Sequence, residues 1–153
     1  MRDKERDVTL YTIGFTKWSA ESFFGTLRGA AVRTVLDTRL HRDGQLSGFA
    51  KVPDLPYFLD RLAHSEYVAL PSLAPAAAML KSYRAKQLSW DEYARAYREL
   101  LEMRRPEREM DPALLDRACL LCSEHLPQHC HRTIAAEYLR DAFAAARIEI
   151  VHL

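Results

Sequence analysis

The chain alternates two patterns of apolar residues along its length. Short runs rich in β-branched and aromatic residues predict strands, and longer segments with apolar residues three or four positions apart predict helices. The predicted strands cover residues 8–13, 32–36, 67–70, 118–122 and 147–153. Predicted helices cover residues 20–28, 54–63, 76–83 and 133–146, and a further helix begins at a Ser89–Glu92 capping box and ends before Pro106. Ser19 and Asp54 have the positions and side chains of N-caps.

This alternation favours an α/β fold, because parallel neighbouring strands are joined through crossover connections. We expect three layers: an open, mostly parallel sheet of about five strands with helices on both faces. The two helices between the third and fourth strands form a helical insert. A chain of 153 residues is long enough for a single domain and too short for two with separate cores. Residues 1–7 are mostly charged, so we expect a frayed or disordered N-terminus there.

Composition and charge narrow the class of protein. The 48% hydrophobic and 28% charged residues are typical of a globular chain and exclude a disordered one. The formal net charge of +1 does not predict a strong polyanion binder, so any nucleic-acid-binding surface must be local. No apolar run approaches the roughly 20 residues that cross a bilayer, and the polar start lacks the apolar core of a signal peptide. We therefore expect a cytoplasmic protein without a membrane partner.

Polar side chains collect where the predicted strands end. Ligands of parallel sheets bind outside the carboxyl ends of the strands, so these positions form the candidate site. Asp37 and Arg39 follow the second strand, and the long loop after them, residues 40–53, carries His41 and Arg42 as a candidate lid. The connector after the fourth strand is dense in reactive side chains, which are Cys122, Glu124, His125, His129, Cys130, His131 and Arg132.

The start of the last predicted helix indicates a site for an anion. Cys130, His131 and Arg132 precede this helix, so its N-terminal N–H groups, including that of Thr133, should face the pocket. Arg132 and Arg39 could hold a phosphate or carboxylate between them.

The same connector indicates thiol chemistry. Three cysteines do not form a disulfide framework, so we expect reduced thiols. The helix end, Arg132 and the imidazole of His131 should lower the pKa of Cys130 and make its thiol a nucleophile. Asp37 or Glu124 would then act as general acid or base.

Less reactive roles are also consistent with these residues. Cys122 ends an apolar strand and could be a buried small hydrophobe, and Asp37 could form a structural ion pair with Arg39 or Arg132. The connector holds candidate ligands for zinc or iron, but none has CxxC or HExxH spacing. The segment TIGFTKW has one glycine and lacks the pattern of a nucleotide-cofactor loop, so no cofactor is expected.

Trp90, Tyr93 and Tyr97 lie at helical spacing beside Arg95 and Arg98. This stripe could stack bases in a single-stranded groove, but the spacing is more typical of a helix packed on a core. We expect these aromatic residues to belong to the core.

Several segments together resemble the domain-of-unknown-function 488 family of bacterial and archaeal proteins. They are YTIGFTKWS near the start, VLDTRLHRDGQLSGFAKVPDLPYFL, LPSLAPAAAMLKSYRAKQLSWDEYARAY, LCSEHLPQHCHRTIAAEYL and the final IVHL. The segment with Cys122, Glu124, Pro127 and the Cys130-His131-Arg132 tripeptide is similar to the most specific signature of the family. The resemblance implies an α/β domain with a shared pocket, and it implies no particular reaction.

We expect a pocket for an anion or phosphate at the strand ends, which binds or acts on a nucleotide or nucleic acid, by thiol chemistry if Cys122 or Cys130 is reactive. The alternative is a non-catalytic nucleic-acid-binding or protein-interaction module, in which the long loop and basic helices make the contacts. A metal-dependent enzyme that uses the Cys/His/Glu cluster is the third hypothesis. The long loop is either a lid or the contact of a homodimer.

Overall fold

The structure is a computed structural model that describes residues 6–43 and 47–153. Its strands are β1 (Arg6–Gly14), β2 (Thr34–Asp37), β3 (Glu66–Ala69), β4 (Ala118–Cys122) and β5 (Ala146–His152). Its helices are α1 (Ala20–Gly29), α2 (Asp54–Phe58) with a π-helical continuation (Leu59–Ala63), α3 (Ala77–Arg84), α4 (Trp90–Arg104) and α5 (His131–Ala142). Single 3₁₀ turns cover Gly48–Ala50, Pro71–Leu73, Pro106–Glu109 and Pro112–Leu115.

The described strands form one parallel sheet in the order β3-β2-β4-β1-β5. This confirms the α/β fold expected from the alternation of strands and helices. Helices α3 and α4 lie between β3 and β4 in the chain, at the position predicted for the helical insert. The chain crosses from β1 over β4 to β2, and later from β4 over β1 to β5, so these two connections run in opposite directions.

The hydrophobic core lies on both faces of the sheet, with β4 in the middle. Cys119 and Leu121 pack in the cluster that contains Phe23 and Leu27 of α1, whereas Leu120 packs in the cluster formed with α4 and α5. All residues of β4 are buried, which explains why this strand is an uninterrupted apolar run in the sequence.

Side-chain caps fix the starts of α1 and α4. The Ser22 N–H donates to the Ser19 hydroxyl at 3.1 Å, and Ser89 and Glu92 form the predicted capping box. Asp54 was expected to cap the next helix, but Pro53 occupies the cap position of α2 and no side chain bonds there. Within the described residues, no helix combines the length and apolar character needed to cross a membrane.

Two chain segments differ from the expectations. Arg6 pairs with Ala146, so residues 6 and 7 belong to β1 instead of a frayed terminus, and residues 1–5 lie outside the described residues. In the predicted long loop, Gly48–Ala50 form a 3₁₀ turn, and residues 44–46 lie outside the described residues. Helix α5 starts at His131, earlier than expected, because Cys130 is already its extended N-cap residue.

Candidate functional site

Three neighbouring strands bring candidate residues to one edge of the sheet. Gly14 at the end of β1 is paired with Cys122 at the end of β4, and Asp37 at the end of β2 is paired with Leu121. The connections that leave β1 and β4 run in opposite directions. Such a reversal between adjacent strands opens a crevice at their carboxyl ends, where α/β proteins bind ligands.

The guanidinium group of Arg132, in the first turn of α5, is fully buried below this crevice. Its Nη1 donates to the carbonyl oxygen of Glu124, its Nη2 to that of His125 at 3.3 Å, and its Nε to the hydroxyl of Thr12 at 3.3 Å. No carboxylate among the described residues forms an ion pair with Arg132. A buried cation without an opposite charge is costly, so a compensating charge nearby is strongly favoured.

Two thiols lie beside this guanidinium. The Sγ atoms of Cys122 and Cys130 are 3.1 Å and 3.7 Å from Nη1 of Arg132, and they are 2.7 Å from each other. Both cysteines are buried. Cys122 ends β4 and Cys130 precedes α5, so the chain folds back between strand and helix and brings two thiols eight positions apart into contact.

The surroundings of this thiol pair favour the loss of one proton and the retention of the other. Burial raises the pKa of Cys122, but the hydrogen bond from Cys130 and the charge of Arg132 outweigh burial and hold this pKa below its ordinary value. The hydrogen bond to Cys122, followed by burial, raises the pKa of Cys130, so the predicted lowering of this pKa is wrong and Cys122 is the thiol that loses its proton more easily. Because the thiols interact strongly, their protons leave in two steps that belong to the pair. A pair with one shared proton carries one negative charge, which compensates Arg132.

Gly14 allows the connector and Arg132 to approach β1 this closely. A Cβ atom at position 14 would overlap the carbonyl oxygen of Glu124 and lie 2.6 Å from Nη1 of Arg132. The absence of a side chain at this strand end is therefore a requirement of the site.

A hydrogen-bonded chain continues from Arg132 to the edge of the sheet. The Thr12 hydroxyl that accepts from Arg132 lies 2.6 Å from Nδ1 of His152 in β5. Burial and the charge of Arg132 lower the pKa of His152, so its neutral ring can accept the Thr12 proton. Sequence analysis missed both residues, although a threonine at an inward-facing position of an apolar strand was an available signal.

Asp37 is engaged in a buried ion pair with Arg39. Its Oδ1 accepts from the backbone N–H of Arg39 at 3.1 Å and from its Nε at 2.9 Å, and its Oδ2 accepts from Nη2 at 2.9 Å. The hydroxyl of Tyr67 in β3, which sequence analysis also missed, donates to Oδ2 at 2.7 Å. Because both oxygens are occupied and the side chain is buried, the geometry supports the structural ion pair better than a role in proton transfer.

His131 is held against the end of β2 in its neutral form. Its Nε2 lies 3.1 Å from both the carbonyl oxygen and the hydroxyl of Thr38. The Thr38 hydroxyl donates to the carbonyl of Leu121 at 2.8 Å, so Nε2 of His131 is the donor in this contact. Burial lowers the pKa of His131 to about 4, so the imidazole is uncharged at neutral pH.

A solvent-connected cleft opens at these residues, and it encloses about 90 Å³. Small-molecule sites occupy roughly 300–1,000 Å³, so this cleft encloses only part of a ligand and leaves the rest in contact with solvent. Its polar lining consists of Arg39, His41, Arg84, Ser123, Glu124, His129 and His131, and the thiol-bearing residue Cys130 also lines it. Tyr83 and Tyr93 contribute an aromatic wall, with ring centroids 4.7 Å apart and an interplanar angle of 26°.

The aromatic stripe of α4 divides between the core and the cleft. Tyr93 and Tyr97 are buried, and the Tyr97 hydroxyl donates to the Leu73 carbonyl at 2.6 Å. Trp90 stacks on the ring of His129 with centroids 5.0 Å apart. The stripe therefore belongs mainly to the core, with Trp90 close enough to the cleft to report on it.

The structure brings only some of the candidate residues to the cleft. Arg132 was expected to face an anion, but all its contacts are with the connector backbone, Thr12 and the thiols, so a clamp formed with Arg39 is not supported by the geometry. The Thr133 hydroxyl donates to the Pro127 carbonyl at 2.7 Å and braces the connector. Arg42 does not line the cleft, and its carbonyl accepts from Arg39 at 3.5 Å.

A metal centre is not assembled by the candidate ligands. Within residues 6–43 and 47–153, no group of three or more His, Cys, Asp or Glu side chains is arranged to hold a metal ion. The thiol pair also has the Arg132 cation as its neighbour, which repels a second positive charge.

Comparison with known proteins identifies a family. No curated protein and no solved structure matches the chain. The model of the family described as Domain of unknown function DUF488 matches residues 19–139. The matched region includes the Asp37–Arg39 pair, the thiols of Cys122 and Cys130, and Arg132. The chain therefore belongs to the DUF488 family, as its sequence motifs predicted.

Proposed function

We propose that this protein is a thiol-dependent enzyme whose cleft binds a phosphate-bearing ligand of the nucleotide type. The observation that carries the proposal is the position of Cys130. It lines the cleft, precedes the N-terminus of α5, and contacts a second thiol that lies against a buried guanidinium. Positive charge beside the thiol pair favours the loss of one proton from the pair, and a thiolate is the nucleophilic form.

Positive groups around the cleft support an anionic ligand. Arg84 lies at the C-terminal end of α3, is exposed, and forms no ion pair within the described residues. Helix α5 begins at the cleft-lining His131, so the positive end of its dipole adds to the potential there. His41 adds an exposed imidazole to the lining. All three groups would stabilise a bound phosphate.

The aromatic wall supports a ligand with a flat ring. Tyr83 is half-buried and lies against the buried ring of Tyr93. Base–aromatic stacking contributes about 1–3 kcal/mol per base in known complexes. The cleft encloses only about 90 Å³, which is too little to hold a run of stacked nucleotides, and this favours a small ligand over a polymer.

The groups in the site that can give and take protons support nucleophilic attack by Cys130. Its proton can pass to the adjacent Cys122 sulfur, which Arg132 stabilises as an anion. The exposed carboxylate of Glu124 lines the cleft and can exchange protons with a bound ligand.

Ligand binding tests this proposal directly. Reduced protein is titrated with a panel of nucleoside monophosphates and the parent nucleosides, with Trp90 fluorescence and calorimetry as readouts. We expect saturable binding of the phosphorylated compounds, protection of Cys130 from alkylation by bound ligand, and a loss of affinity of at least about tenfold in Arg84→Gln. Arg95→Gln is the matched control, because Arg95 is an exposed arginine of α4 that does not line the cleft.

Two results would overturn the proposal. One is the absence of phosphate-dependent binding, or an equal loss in both arginine variants. The other is preferential binding of oligonucleotides with a steep salt dependence that survives Cys130→Ser, since neutralisation of backbone phosphates releases counterions. That second result would identify the non-catalytic nucleic-acid-binding module instead.

A further inference from the structure

We propose that Cys122 and Cys130 are a redox pair in which Cys130 reduces a small hydroperoxide and the two thiols close to a disulfide. The inference uses the same thiols as the proposed function, but it does not depend on the phosphate-bearing ligand. It is an oxidation–reduction activity of the site itself.

The distance between the sulfur atoms supports disulfide closure. At 2.7 Å they are only about 0.7 Å farther apart than the roughly 2.05 Å of a disulfide bond. Closure therefore requires a displacement of less than an ångström in the connector. Cys119 cannot compete for either partner, because it packs on the opposite face of β4, in the cluster with α1.

The two cysteines differ in access, and this assigns their roles. Cys130 lines the cleft with 1% of its surface exposed, whereas Cys122 is fully buried and does not line it. So small an opening excludes a bulky substrate such as a protein disulfide and admits only small molecules. The terminal oxygen of a hydroperoxide fits such an opening. Cys130 is therefore the attacking cysteine and Cys122 the resolving one.

The chemical steps balance with a hydroperoxide, ROOH, as oxidant. The Cys130 proton passes to the Cys122 sulfur, and the Cys130 thiolate attacks the terminal oxygen, which forms an S–O bond and breaks the O–O bond. The alkoxide takes a proton from solvent and leaves as ROH, so Cys130 becomes a sulfenic acid. The Cys122 sulfur then attacks the Cys130 sulfur, and water leaves with the sulfenic hydroxyl and the Cys122 proton.

Arg132 makes the disulfide readily reducible. Its guanidinium stabilises the negative charge of the reduced pair, and the disulfide carries no such charge. A disulfide whose reduced form is stabilised in this way is a stronger oxidant and is returned to the dithiol more easily by thiols. Two molecules of a low-molecular-weight thiol, RSH, therefore complete the cycle. The first breaks the Cys122–Cys130 bond and forms a mixed disulfide, and the second displaces the protein thiol, so the two leave together as RSSR and their protons return to the dithiol.

The test is a titration of reduced full-length protein with hydrogen peroxide and cumene hydroperoxide, followed by intact mass and peptide mapping. One equivalent should consume two of the three thiols, lower the mass by 2 Da through a Cys122–Cys130 bond, and leave Cys119 reduced. The reaction should be at least about 100-fold faster than that of a free cysteine, and a monothiol should reverse it.

Conservative variants separate the two roles. In Cys122→Ser, the sulfenic acid on Cys130 should persist and be trapped by dimedone. In Cys130→Ser, the fast reaction should be lost, and Cys119→Ser should react as the parent protein does. These variants are compared by circular dichroism so that a loss of rate is not confused with a loss of fold.

The proposal is contradicted if the parent protein forms no Cys122–Cys130 disulfide, if its thiols react no faster than free cysteine, or if dimedone labels Cys122 first. Nucleotide binding is measured separately on reduced protein without oxidant. Loss of peroxide reactivity with intact nucleotide binding therefore rejects the redox pair alone, and the converse result rejects only the phosphate-bearing ligand.

Discussion

Replacement of Asp37 by asparagine tests whether the Asp37–Arg39 pair is a structural element of the strand ends. The substitution keeps the size of the side chain and removes its charge. Asp37 is fully buried and Arg39 is 4% exposed, so the guanidinium would keep its charge in a site with very little access to solvent. Two of the four hydrogen bonds from Arg39 and Tyr67 would also lose their acceptor, because each carboxylate oxygen accepts two and an amide has a single oxygen.

Removal of one partner from a buried ion pair costs about 3–5 kcal/mol, because the other charge stays buried and unpaired. A domain of this size has a total stability of roughly 5–15 kcal/mol, so the loss is a large fraction. At about 2–4 °C per kcal/mol, the Tm should fall by roughly 6–20 °C. Urea unfolding followed by far-UV circular dichroism measures the free energy, and an unchanged m-value shows that both variants unfold in the same way.

The Arg98–Asp141 pair provides a matched control. Its N–O distance is 2.8 Å, close to the 2.9 Å of Arg39–Asp37, but its side chains are 37% and 53% exposed. Asp141→Asn should therefore cost no more than about 1 kcal/mol. If Asp37→Asn is as mild as Asp141→Asn, or if Asp37→Asn folds normally and loses only reactivity of the cleft, the structural role assigned to Asp37 is wrong.

Two further predictions concern stability. Gly14→Ala should destabilise the protein by at least about 1–3 kcal/mol, because the added Cβ overlaps the Glu124 carbonyl. The control Gly25→Ala, in α1, meets nothing within 4 Å and should stabilise the protein slightly. Equal changes of the two variants in urea unfolding would contradict the role of Gly14 in the site. The pKa of His131 is lowered to about 4 in the folded state, below its unfolded value, so its contribution is complete above about pH 6.5 and is lost as the pH falls toward 4, by up to about 3 kcal/mol. His131→Gln should flatten this part of the profile of unfolding free energy against pH, measured by urea unfolding. An unchanged profile would show that His131 is not the group responsible.

The fold could be predicted from local patterns because each element carries its own periodicity. The ACLLC run of β4 is buried on both faces, and Ser89 with Glu92 forms the capping box that its spacing indicates. Boundaries were less accurate where a neighbouring segment decides them. The pairing of Arg6 with Ala146, for instance, extends β1 into a charged segment that has no strand signal of its own.

Several of the candidate residues do lie together at the strand ends, but the contacts among them depend on residues far apart in the chain. The connector folds back so that its own carbonyl groups surround Arg132, and nothing in its local sequence shows that this arginine turns inward. Thr12 and His152 are 140 positions apart and meet only because β1 and β5 are neighbours. Tyr67 reaches Asp37 for the same reason, across the β2–β3 pair. Such contacts follow from strand order, which local periodicity does not determine.

The most direct test of the central claim is the charge of the thiol pair as a function of pH. Thiolate absorbance and the alkylation rate of each cysteine, resolved by mass spectrometry, are measured on reduced protein from pH 4 to 10. Buried Cys119 is the internal control, since burial raises its pKa. We predict one thiolate per chain at neutral pH, shared by Cys122 and Cys130, with a first pKa well below the roughly 8.5 of a free thiol. Cys119 should form no thiolate and should not be alkylated. A first pKa of the pair at or above about 8.5 would show that Arg132 does not activate these thiols, and the account of this site as a centre of thiol chemistry would be wrong.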